Sequence, residues 1–192
     1  MNRFARRTTL AGVLLLAGIV DAETYQVDAT HSAVDFAIRH MVGRTKGRFG
    51  EFSGTVVYDA ARPTATSISG TIQTNSINTD NKKRDKHLRS EDFFHVEAHP
   101  TMVFESTKAV LESGDLLHVT GNLAMRGVTK QVVLVVEILG TGINPMNQKQ
   151  QVGLATEFTL KRSDYGVNHW SDTAGVLGDD VKVSINIEAN AG

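Results

Sequence analysis

From Glu23 to the C-terminus, apolar side chains recur at every second position in one segment after another. Val34, Phe36, Ile38 and Val42 share a parity with His40, while Asp35 and Arg39 take the other. Phe52, Val56 and Tyr58 repeat the pattern with Gly54, and Ile68 and Ile72 repeat it with Gly70. Met102 and Phe104 follow, then Leu117, Val119, Leu123 and Met125 around Gly121. Val132, Leu134, Val136 and Ile138 make the next set, followed by Val152, Leu154, Phe158 and Leu160. Val181, Val183, Ile185 and Ile187 close the chain. Successive side chains on a strand point to opposite faces, so each set predicts a strand with one buried face, about eight in all.

Turn chemistry separates the sets at residues 59–63, Ser113-Gly114-Asp115, Arg126-Gly127 and 140–147. Strands joined by such short links are antiparallel, because a parallel pair needs a long crossover. Two stretches break the alternation. Residues 80–94 are charged, poor in β-branched side chains and open on Asp80 or Asn81 as a helix cap. They predict a short helix leading to Phe93 and Phe94. Residues 163–178 hold Tyr165 and the single tryptophan, Trp170. No repeat or linker divides residues 23–192, which are expected to form one domain. Antiparallel strands with one apolar face pack as a sandwich or a barrel. A barrel leaves no open edge, and Gly54, Gly70 and Gly121 sit where strands must bend. The expected fold is all-β, an antiparallel eight-stranded barrel with a short helical insertion.

The N-terminus adds a destination. Arg3, Arg6 and Arg7 precede an apolar run from Leu10 to Val20, and Val20-Asp21-Ala22 resembles a cleavage site. Such a run is too short to span a bilayer core that needs about 20 residues, so residues 1–22 are expected to be a cleaved export signal. Loss of Arg3, Arg6, Arg7 and Asp21 takes the net charge from −1 to −3. That balance predicts no broad attraction for nucleic acid or anionic lipid, and no stable membrane insertion. The chain has no cysteine, which excludes disulfides, thiol catalysis and Cys-based metal sites.

Chemistry-bearing motifs are sparse. There is no nucleophile elbow, phosphate-binding glycine loop or zinc-protease motif, and no enzyme activity or cofactor is expected. His95 and His99 are four apart. Before Pro100 the chain reads as extended, which would set them roughly 13 Å apart, so no metal site is expected. An eight-stranded barrel is just wide enough to be filled by side chains or to hold one small ligand, and alternation alone does not choose between these.

A resemblance does. Tyr25-Gln26-Val27-Asp28 with Thr30-His31-Ser32 and Val34-x-Phe36 opens the chain. Arg44-Thr45-Lys46-Gly47-Arg48-Phe49-Gly50-Glu51-Phe52 follows, then Ser76-Ile77-Asn78-Thr79 and Arg84-Asp85-x-His87-Leu88-Arg89-Ser90-x-Asp92-Phe93-Phe94. Pro100-Thr101-Met102-Val103-Phe104-x-Ser106, Gly121-Asn122-Leu123, Gly127-Val128-Thr129-Lys130-x-Val132, Arg162-Ser163-Asp164-Tyr165-Gly166 and Gly178-Asp179-x-Val181 complete the series. Together they resemble the YceI-like family of polyisoprenoid-binding proteins over essentially the whole chain after residue 22. Asn122 stands where that family often has Asp.

The resemblance implies a lipocalin-like barrel, periplasmic location, a possible homodimer, and an isoprenoid or other long-chain lipid held in the lumen. Phe36, Ile38, Val56, Ile72, Phe104, Leu123, Leu134, Leu154 and Phe158 are the expected lining. Phe93, Phe94 and Trp170 are expected at the mouth. Arg84, Asp85, His87 and Arg89 are candidates for head-group recognition, since an arginine fork binds phosphate or carboxylate and an imidazole donates to oxygen. The same residues also fit a solvated helix face, or a set of ties between the insertion and the barrel. The expected role is a carrier or reservoir of lipid. The alternative is a protein-interaction module with a filled barrel.

Overall fold

The computed structural model describes residues 22–170 and 175–192, so the expected leader up to residue 21 lies outside the described residues. In chain order the strands are β1 (Glu23–Val27), β2 (Ala33–His40), β3 (Gly43–Phe49), β4 (Phe52–Tyr58), β5 (Ser67–Gln73) and β6 (Ile77–Asn78). Helix α1 (Lys82–Arg89) follows, then β7 (Thr101–Ser113), β8 (Leu116–Met125), β9 (Val128–Ile143), β10 (Gln150–Lys161) and β11 (Leu177–Ala191). All strand pairs are antiparallel, and the order β1-β4-β5-β7-β8-β9-β10-β11 returns to β1. That is a closed ring of eight, the barrel that alternation and short turns predict.

The seam is more elaborate than the sequence pattern shows. Strand β11 pairs with β1 through residues 189–191 and with β2 between Leu177 and Asn186. Strands β1 and β2 therefore act as one bent stave, broken by a turn at residues 28–32. Asp28 holds that turn by accepting from the Thr30 N–H and bonding His31. Strands β3 and β4 form a second bent stave. β4 lies between β1 and β5, whereas β3 lies on β2 and meets β6 only at Arg48 and Phe49. Residues 43–47 of β3 thus have no second strand partner among the described residues, and the wall is incomplete there.

Two sequence expectations need correction. The strand expected from the alternation of Val34 through Val42 ends at His40, and Met41-Val42 is the two-residue turn to β3. Val42 keeps the apolar parity of β2, yet it is fully exposed at 106%. Parity alone does not detect a turn whose residues are apolar. The loop expected over 140–147 is also shorter, because β9 continues to Ile143 past a bulge at Leu139, where the register with β10 shifts between Gly153 and Leu154. Gly140 (φ 141°) supplies the backbone geometry for that bulge.

The core divides along the barrel axis. At the end bounded by β1, the start of β10 and the end of β11, the side chains of Tyr25, Val56, Tyr58, Leu117, Val119, Val152 and Ala189 pack together. Leu117, Val119, Val152 and Ala189 have no exposed surface. At the other end Val34, Phe49, Ile77, Met102, Met125 and Tyr165 form a second cluster, with Phe36, Leu88 and Phe94 against it. The first cluster makes a floor. The second lines a wall beneath α1.

Candidate functional site

Between the two clusters runs a cavity of about 860 Å³. Alternation places its lining: the inward parity of each strand delivers side chains to the lumen. Phe36, Ile38, Val56, Ile72, Phe104, Leu123, Leu134, Leu154 and Phe158 all border it along the barrel. Phe93, Phe94 and Trp170 border it at one end. Small residues make the room. A Cβ at Gly121 would collide with the Phe104 ring, and one at Gly47 with the Phe36 ring, so each glycine lets an aromatic lie flat against the wall. Phe49 and Ile77 also line the cavity, and sequence patterning missed them. The inward positions of β3 are Thr45, Gly47 and Phe49, too mixed to register as an apolar face.

The cavity reaches the surface at the α1 end, because exposed His40, Lys83, Lys86 and Trp170 belong to its lining. Helix α1 is fastened over this end by the polar residues of its own motif. Asn81 caps it by accepting from the Arg84 N–H (3.0 Å). Asp85 is buried and accepts from both the backbone N–H (2.9 Å) and the hydroxyl of Thr79. Arg84 donates to the Thr79 hydroxyl and carbonyl oxygens, each at 2.7 Å. Arg89 donates to the carbonyls of Asn75 (2.8 Å) and Ile77 (2.7 Å). Of the four head-group candidates, Asp85 and Arg89 therefore sit as ties between α1 and the β6 segment. Arg84 is such a tie that also borders the cavity.

His87 is placed differently. Its Nε2 lies 2.8 Å from Asp92, and its ring meets Phe93, His169 and Trp170 at centroid distances of 5.0, 5.2 and 5.6 Å. His169 is in turn 4.7 Å from Trp170 and 3.7 Å from the Asp92 carboxylate. No sequence spacing links residues 87, 92 and 169, so this cluster was not legible before folding. Ligand atoms of His87, Asp92 and His169 lie within 4.8 Å of one another, a spacing at which three such groups can share an ion. The cations Lys83, Arg84 and Lys86 on the same helix work against a dication there. As two imidazoles and an indole meeting edge-to-face and tilted, the cluster offers ring faces and N–H donors to an oxygen-bearing group at the mouth.

Arg162 holds the segment that carries His169. It is 4% exposed and donates to the carbonyls of Gly178 (2.8 Å), Val167 (2.6 Å) and His169 (2.9 Å). Burial pushes its pKa down, and Asp179 partly offsets this. Its Nη2 has no acceptor among the described residues. Asp179 itself is opposed by burial, but hydrogen bonds from the Ser163 N–H and hydroxyl, with Lys161 and Arg162 nearby, hold it below the usual carboxylate value.

His95 and His99 are another correction. Their rings stand 5.7 Å apart, not an extended span, because His95 (φ 49°) enters a turn and the His99 N–H donates to its carbonyl. His99 borders Gly127, and neither histidine is in the cavity lining.

Comparison with known proteins agrees with this geometry. The family model described as the YceI-like domain matches residues 25–189. A UPF0312 protein of Pseudomonas paraeruginosa is 36% identical over 182 residues, covering 93% of each chain. Protein YceI of Salmonella newport is 36% identical over 183 residues, 94% of this chain and 93% of its own. Among solved structures, BcnA of Burkholderia cenocepacia superposes with a TM-score of 0.77 at 25% identity, over 84% of this chain and 98% of its own. A Campylobacter jejuni YceI protein gives 0.70 at 30% identity, over 80% and 89%. A domain from Saccharophagus degradans described as polyisoprenoid-binding gives 0.69 at 18%, over 88% and 98%.

Proposed function

The chain belongs to the YceI-like family, and from that premise we propose that it is an exported carrier or reservoir that holds a polyisoprenoid or similar long-chain lipid in its barrel. The observation that carries this reading is the apolar cavity of about 860 Å³ running from the floor cluster to the surface at α1. A filled barrel, as an interaction module would have, packs its interior to crystal-like density and leaves no such space. At about 30 Å³ per water-sized group, the cavity takes roughly 25–30 non-hydrogen atoms, about five prenyl units. A longer tail folds back or leaves through the mouth.

Burial supplies affinity at about 0.8 kcal/mol per methylene before the costs of association, so the tail dominates binding and the head group selects. The oxygen-bearing end lies at the mouth between the His87–His169–Trp170 rings and Arg162. The role is binding, with no catalytic step, and the leader delivers the protein to the periplasm. The likeness to a domain described as polyisoprenoid-binding supports the ligand class.

Native mass spectrometry with lipid extraction, on protein purified from the bacterial envelope, tests this. A discrete added mass that extracts as a prenyl or long-chain lipid is the expected result. A protein that stays apo after incubation with prenyl quinones and prenyl phosphates refutes it.

A further inference from the structure

A net charge of −1 conceals a strong asymmetry. Residues 39–48 and helix α1 together carry nine of the chain's 20 Lys and Arg but only one of its 21 Asp and Glu, Asp85. That one carboxylate is buried on Thr79. Both segments border the opening of the cavity: His40 and Thr45 from the β2–β3 hairpin, Lys83 and Lys86 from α1. The lysine ion pairs among the described residues are those of Lys130, Lys161 and Lys182, so Lys46, Lys82, Lys83 and Lys86 stand unneutralised. Nearby carboxylates do little to balance the rim: Asp92 bonds His87, Asp35 stands opposite Arg48, and Asp179 and Asp180 pair with Lys161. Asp80 and Glu91 flank the helix and leave the balance strongly positive.

Apolar side chains protrude from the same rim. Met41 and Val42 form the turn of the hairpin at 58% and 106% exposure, and Trp170 is 43% exposed beside His87. Turn positions ordinarily take Gly, Asn or Asp, whose backbone and side chains suit the bend. Met and Val there contribute nothing to the core. The Met41 N–H donates to the Val176 carbonyl, and His40 pairs with Leu177, a lining residue, so the tip projects just beyond the cavity's edge.

Exposed apolar tips and a cationic field together are the two signals that hold a soluble protein on an anionic bilayer. We propose that the mouth is a membrane-docking surface: the rim cations engage lipid phosphates, Met41, Val42 and Trp170 enter the interfacial layer, and the cavity opens directly onto the bilayer. The partner is an anionic phospholipid surface. The reason for such docking rests on the carrier reading, since a lipid tail would otherwise cross water between membrane and lumen, but the surface itself does not depend on it.

The test is flotation of the envelope-purified protein with vesicles of three parts phosphatidylcholine to one part phosphatidylglycerol, against pure phosphatidylcholine. Preferential binding to the anionic vesicles, reversed by salt, is expected. The charge-reversed variant Lys46→Glu, Lys83→Glu, Lys86→Glu is expected to lose about 100-fold in partitioning, at about five-fold per cation. Met41→Ser with Val42→Ser is expected to lose about ten-fold. Both variants alter exposed residues and should melt like the parent. Lipid loading of the same preparations, read by mass, separates the two ideas. Docking without any loaded lipid sinks the carrier reading and leaves the surface standing. Equal partitioning to both vesicle types, or none, overturns the docking surface and leaves the basic rim to an acidic protein partner.

Discussion

The two ends of the barrel are built from the same strands and do opposite things. At the floor, strand pairing is complete and the side chains are apolar apart from the Tyr25 and Tyr58 hydroxyls, with Leu117, Val119 and Val152 fully buried. Apart from those two hydroxyls, little there needs a polar partner, because backbone groups are spent in the ladders of β1, β4, β10 and β11. At the mouth the β-ladder stops short, and what replaces it is held by specific polar ties: Asp85 and Arg84 on Thr79, Arg89 on two carbonyls, Arg162 on three. The floor derives its stability from area removed from water. The mouth derives its shape from a few hydrogen bonds, several charge-assisted, and remains open.

The comparison breaks most readily at the floor. Val152→Asp places an unpaired carboxylate where nothing answers it, at a cost of about 3–5 kcal/mol and roughly 10–15 °C in melting temperature. A melt shifted by only a degree or two would mean that the floor is not the packed end. In the lumen, Phe104→Arg is expected to abolish lipid loading, read by native mass, while circular dichroism still reports the barrel. Phe104 is only partly buried and faces the cavity, so the fold tolerates the change better than the ligand does.

Arg89→Ala distinguishes a tie from a head-group contact. Its two donated hydrogen bonds go to carbonyls of the chain, so the expected result is a melting temperature lower by several degrees with affinity for a prenyl phosphate within about two-fold of the parent. A large loss of affinity with unchanged stability would reverse that assignment. Trp170→Ala, on the exposed lip, is expected to change the melting temperature by less than about 3 °C. It should weaken binding of a prenyl quinone more than that of a headless prenyl hydrocarbon.

The smallest effect belongs to the turn between β1 and β2. The His31 hydrogen bond, then the Thr30 N–H, hold Asp28 below its ordinary 3.8, and the Asp28 hydrogen bond holds His31 above 6.5. The Asp28 share is full above 3.8 and fades as pH falls through its lowered value. The His31 share is full below 6.5 and fades as pH rises through its raised value. The pair is therefore worth most between pH 3.8 and 6.5. His31 is exposed and Asp28 lies at the surface half-buried, so melting should vary little with pH on this account. NMR titration of the His31 ring should still show a midpoint above 6.5 that drops in Asp28→Asn.

Much of the architecture was legible in the chain. Period-two alternation placed the staves and the inward residues from Phe36 to Phe158, because a strand's faces are set by local geometry and one face had to be buried. Asp80 or Asn81 as cap and the lack of β-branched residues announced α1, and Asn81 is the residue that caps it. The pattern misled where apolar residues served a surface: Val42 looked like one more inward position and is instead the tip of a hairpin. The head-group motif was visible as a cluster of charges, but the sequence could not say that Asp85 and Arg89 turn toward Thr79, Asn75 and Ile77.

What the sequence determined by itself was the fold class, the parity of the lining and the family, since all three rest on local periodicity and ordered motifs. Tertiary structure alone decided that the lumen is a cavity with a closed floor and an open mouth. It alone gathered His87, Asp92, His169 and Trp170 from distant segments, and set two separate basic runs on one rim beside an apolar tip. Those outcomes depend on which strands close the ring and how volumes fill it, and chain order records neither.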